Sequence, residues 1–136
     1  MATENPRALV SRQAGTNVTN MRFVKEAAGG IVNRCDTQGE RADGVCYDPS
    51  IPSNAASQAI PAGEEAGVCK GGDVIVESGA AVADAARVMT DSVGRAITFV
   101  AGSGAICLGR VVNGSSAAAA GEPLTIEFAP EPQAIA

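Results

Sequence analysis

At 136 residues the chain has room for one domain with one modest core, because folding a chain of this length buries roughly two thirds of the surface its extended form exposes. A net charge of −5, with ten basic residues scattered along the chain, excludes a phosphate-tracking surface, so no nucleic-acid partner is expected. The absence of histidine removes the usual general base and, with it, Ser-His-Asp and Cys-His catalysis.

The core must be built from small residues. Trp is absent, aromatics are 3% of the chain, and apolar mass comes mainly from Val, Ile and Ala. The β-branched types fit a pleated surface, so the composition points to an all-β fold. Such side chains bury little area each, and an isolated monomer of this kind has a thin stability margin that association would widen. No apolar run is long enough to cross a membrane, and MATENPRALVSRQ lacks the apolar centre of a signal peptide. We therefore expect no membrane partner and initial residence in the cytoplasm.

In chain order, residues 1–17 are polar, contain Pro6 and Gly15, and predict an extended arm that orders against a partner, with Leu9 and Val10 as anchors. Residues 18–136 form the single β-rich domain. Met21–Lys25 predicts a first strand and Ile31–Val32 a second, across the Gly29–Gly30 break. Residues 35–65 are dense in Gly, Pro, Asp, Asn and Ser and predict a long irregular loop, with Gly44–Tyr47 a strand-like island in it.

From Gly67 the punctuation becomes regular. Val68–Lys70 and Asp73–Glu77 flank Gly71–Gly72 and predict a hairpin whose turn uses the positive φ of glycine. Short strands are predicted at Ala81–Val82, Arg87–Met89, Arg95–Val100, Ala105–Val112 and Leu124–Phe128. Close spacing of antiparallel strands indicates a small β-barrel or sandwich. Val82, Ala85, Ala86 and Met89 stand at helical spacing, but we read strand, turn, strand there, and a single helical turn or loop for Ala117–Ala120.

Little here carries chemistry. The four cysteines, Cys35, Cys46, Cys69 and Cys107, make no C-x-x-C pair and read as small buried hydrophobes; if disulfides form in an oxidising medium, Cys35 and Cys46 are nearest in sequence. Cys35 to Glu40 resembles a calcium loop only loosely, and the carboxylates otherwise fall at turns. Lys70 at a hairpin tip is similar to the modified-lysine turn of lipoyl and biotinyl carrier domains, but its flanking residues differ from theirs, and a solvated charge is the simpler reading. We assign no catalytic residue, no metal ligand and no cofactor.

The order of turns is more informative. Gly79 to Val82, then Thr90-Asp91-Ser92-Val93-Gly94-Arg95-Ala96, then Leu108-Gly109-Arg110-Val111, then Ala119-Ala120-Gly121-Glu122 resembles the pattern of capsid cement, or head decoration, proteins of tailed bacteriophages. The likeness covers about 60 residues of the second half. It implies a non-enzymatic virion protein on the capsid exterior that binds the major capsid protein between capsomers, often as a homotrimer, and stabilises the expanded head. Pro6, Arg7, Leu9, Val10 and Arg12 of the arm are the expected capsid contacts. The alternative is a surface or secreted β module that binds glycan or protein, against which the missing signal sequence and scarce aromatics both count.

Overall fold

The structure, a computed structural model, describes residues 5–47 and 59–131. Residues 48–58 of the predicted loop, the first four residues of the predicted arm and residues 132–136 lie outside it. The strands are β1 (Asn5–Ala14), β2 (Val18–Thr19), β3 (Phe23–Ala27), β4 (Ile31–Arg34), β5 (Gly44–Cys46), β6 (Ala59–Ile60), β7 (Glu65–Glu77), β8 (Arg87–Thr90), β9 (Ala96–Thr98), β10 (Gly109–Val111) and β11 (Pro123–Phe128). The described residues contain no helix.

Strands β1, β4, β3, β5 and β7 pair in that order, and β1 returns to pair with β7, which closes a five-stranded barrel. All these pairings are antiparallel except β1 with β4. The chain is thus all-β, a small barrel with additional strands, as the β-branched composition implies. Alternation along the barrel strands sorts their side chains into two cores, and Met89, Phe99, Ala105 and Cys107 form a third, smaller cluster. Val24, Cys46 and Val68 point into the barrel with Val32, Ala14 and Ala66, and Val18 of β2 and Ile60 of β6 pack on the same cluster. Their neighbours Phe23, Val45 and Cys69 face the opposite way, into a larger cluster with Leu108, Leu124, Ile126 and Phe128. The barrel wall is therefore buried on both sides where the second sheet covers it.

That second sheet runs β7, β11, β10, β8, β9. A parallel bridge between Ser78 and Ala96 ties its last strand back to the end of β7. Strand β7 thus serves both halves: one edge pairs with β1 along most of its length, and the other meets β5 at Val68 and Cys69, then β11 from Gly72 to Glu77.

The hairpin predicted at Gly71–Gly72 does not form, because β7 runs straight through it for 13 residues. The local signal for a turn is outweighed by β1, which offers hydrogen bonds to both halves in one continuous register from Glu65 to Asp73. The glycines do different work. Strict alternation would keep Val68 and Val74 on one face, yet Val68 lies in the barrel core and Val74 in the larger cluster. Gly72, at φ 79°, supplies the rotation that exchanges the faces.

The segment predicted as an arm is extended over Asn5–Ala14, but what orders it is β7 of its own chain. The helical spacing between Gly79 and Met89 is not used: buried Val82 exchanges backbone hydrogen bonds of 2.9 Å with Ala117 in both directions, and Arg87–Thr90 is strand. The same bridge draws Ala117 away from a helical turn.

Candidate functional site

The motifs that carry the family likeness prove to be architectural. In the Thr90 to Ala96 turn, Asp91 accepts hydrogen bonds from the backbone N–H groups of Val93 (2.9 Å) and Arg95 (2.8 Å), and its other oxygen holds the Arg95 guanidinium at 3.1 Å. The turn is fastened to the barrel: Arg22 donates to the Val93 carbonyl at 2.8 Å, and Phe23 N–H to the Gly94 carbonyl at 2.7 Å. Arg22 also grips buried Glu77 at 3.1 Å. At the other end, Ser78 donates to the Ala119 carbonyl (2.8 Å) and accepts from Glu122 N–H (3.2 Å), pinning the Ala-Ala-Gly-Glu turn beneath β7. Gly109 is required by space, since a Cβ there would stand 2.1 Å from the Glu127 carbonyl oxygen.

The predicted contact residues all fall on β1, and the structure separates them. Pro6 and Arg7 stand opposite Gly72 and Gly71 of β7. Leu9 points outward and is 53% exposed, one of two large apolar side chains in the described residues left so open. Val10 turns inward against the barrel core. Arg12 sits at one mouth of the barrel, 3.3 Å from Glu26, which also binds Lys70. Lys70 is therefore a mid-strand residue held by a carboxylate, which removes the carrier-lysine reading. Hydrogen bonds from Lys70, and then from Arg12, hold the Glu26 carboxyl below its ordinary range.

What sequence reasoning missed is the open edge of β1. On the side away from β7, β4 pairs with β1 only at Gln13 and Ala14. Ala14 N–H bonds the Glu64 carbonyl while Gln13 N–H bonds the Gly30 carbonyl, so alternate residues address opposite edges. Leu9 and Ser11 accordingly present their backbone groups outward, and among the described residues no strand pairs with them there. Arg12 partly guards the edge by donating to the Ser11 carbonyl at 2.9 Å. Only a knowledge of which strand lies beside β1 reveals this.

A second charged group surrounds Lys25, whose ammonium lies 2.7 Å from Asp36 and 3.0 Å from Glu40. Hydrogen bonds to those carboxylates raise its pKa to about 12. Glu40 also accepts the backbone N–H groups of Asp36 and Thr37, both at 2.8 Å, so the loosely calcium-like stretch is organised around a lysine. All four cysteines are buried thiols outside any disulfide among the described residues, and they are divided among three clusters. Cys35 and Cys46 lie in different cores and do not pair, and burial pushes the Cys35 thiol up to about 12.

No family profile matches the sequence, and no curated protein does. Among solved structures, the chain is similar to the N base of head fiber gp8.5 in bacteriophage phi29. The two share 16% identity at a TM-score of 0.62, over 90% of this chain and 93% of that one. At that identity the likeness speaks for a common fold, extending across both the barrel and the second sheet.

Proposed function

We propose that this chain is a structural virion protein that binds the outer surface of a phage capsid and cements the expanded head non-covalently between capsomers. It acts by binding alone. The observation that carries this reading is the fold likeness to the N base of a phage head fiber over nearly the whole of both chains. The order of turns from Gly79 to Glu122 points the same way independently, through a different set of phage head proteins.

In this reading the protein is made in the host cytoplasm, meets the major capsid protein there and remains on the virion exterior. The β1 edge is the contact surface. It combines outward backbone groups at Leu9 and Ser11, an exposed apolar anchor in Leu9, and the basic residues Arg7 and Arg12 in a chain of net charge −5. A homotrimer is the favoured assembly. Across the second sheet, Asp73, Glu127, Arg110 and Arg87 stand in register as two acids beside two bases, and none of the four takes part in an ion pair among the described residues, a pattern that complements a second copy.

Removing residues 1–17 would take a strand out of the barrel, so the contact is better tested by Leu9→Asp, which alters an exposed side chain. The protein is mixed with expanded heads of the encoding phage and the mixture is sedimented. We expect wild type to pellet with the heads and Leu9→Asp to bind roughly tenfold more weakly. Undiminished binding by the variant would remove β1 as the contact.

A further inference from the structure

In an acidic chain, an arginine with no partner is conspicuous. The other basic side chains described are each engaged: by a carboxylate in most cases, by the Phe99 ring for Arg87, and by the Ala85 carbonyl for Arg110. Arg34, at the end of β4, is partly buried yet among the described residues has no hydrogen bond, ion pair or ring contact. Its stem is seated where Gly94 leaves room, since a Cβ on that glycine would lie 3.1 Å from Arg34 Cγ.

Arg34 lines a cleft of about 680 Å³ together with Thr16, Asn17, Lys25, Asn33 and Asp36. The volume falls within the range of small-ligand sites, and all six lining residues are polar or charged. Within the lining, Lys25 and Asp36 pair with each other, which leaves Arg34 as the net charge of the six residues; Glu40, which also holds Lys25, is not among them. The amide oxygens of Asn17 and Asn33 are already occupied, by Ala62 N–H at 3.1 Å and the Thr16 hydroxyl at 3.4 Å. Their NH₂ groups are the parts left to donate.

One planar fork and two amide donors select a monoanion rich in further acceptors. A carboxylate fits the fork through two parallel hydrogen bonds, whereas a dianionic phosphate would meet Asp36 with one charge uncompensated. Hydroxyl and ring oxygens suit the amides, and among the described residues no apolar side chain lines the cleft to receive an aliphatic or aromatic group. We propose that this cleft binds an acidic saccharide, with Arg34 holding the sugar carboxylate and Asn17 and Asn33 its neighbouring oxygens. None of the lining residues belongs to β1, and the site does not depend on the capsid reading.

The test uses the full chain, ¹⁵N-labelled, titrated with sodium glucuronate, glucose and sodium acetate while the Arg34 Nε–H and the Asn17 and Asn33 side-chain amide signals are followed by NMR. Glucuronate is expected to give saturable shifts at all three residues, with glucose and acetate each at least about tenfold weaker. Arg34→Gln should lose the response while keeping the melting temperature of wild type, and Arg34→Lys, which keeps the charge but not the fork, should weaken it. The proposal is overturned if glucuronate produces no shift, if the response survives in Arg34→Gln, or if acetate binds as well as glucuronate.

Discussion

Gly71 and Gly72 are adjacent in β7 but differ in what they require. Gly72 sits at φ 79°, a left-handed conformation that costs an L-residue about 1–2 kcal/mol, while a Cβ on Gly71 would meet nothing within 4 Å. Gly72→Ala should therefore destabilise the protein by about that amount in chemical denaturation, and Gly71→Ala should change it little. Thr125 offers the opposite case. Its hydroxyl is fully buried in β11 and has no hydrogen-bond partner among the described residues, a state that costs about 1–3 kcal/mol. Thr125→Val keeps the shape and removes the orphaned group, so a gain of about 1 kcal/mol is expected in the same assay.

At the scale of elements, the charged groups that tie strands together predict how stability follows pH. Glu26 joins β1, β3 and β7 through Arg12 and Lys70, and its carboxyl is held below the ordinary value of 4.5; Asp36 is likewise held below 3.8, chiefly by Lys25. A depressed carboxylate contributes stability above its unfolded value and loses it as pH falls through the folded one. Melting temperature should therefore fall as the solution is acidified below about pH 4.5, and Glu26→Gln should flatten part of that decline. The raised Lys25 has the reverse sign: its contribution is complete below 10.5 and fades as pH rises through about 12. What sequence reveals of these elements depends on how local their causes are. The strand at Phe23, the island at Gly44–Cys46 and the β-branched runs of β8 and β11 are legible because alternation and turn residues act over a few positions. The Gly71–Gly72 hairpin is misread because its competitor, β1, lies some sixty residues earlier in the chain. Two-residue β2 and β6 carry no periodicity at all, and the open edge of β1 is a property of neighbours. The candidate contact residues were legible as a polar, weakly patterned segment, but not their division into one outward anchor, one core residue and one ion-paired arginine.

At the scale of the whole molecule, the two main cores are built of small residues and share strand β7, and the proposed role makes the protein one of many copies. In the proposed role a shell presents identical sites at fixed spacing, so weak contacts per copy would add through avidity if copies are linked as the proposed trimer. The direct measurement is electron cryo-microscopy of expanded heads of the encoding phage, assembled without this protein and then incubated with it. We expect added density at regular positions on the outer surface between capsomers, with the β1 edge turned toward the shell. Heads that remain indistinguishable from untreated ones, with the protein left in solution, would contradict it.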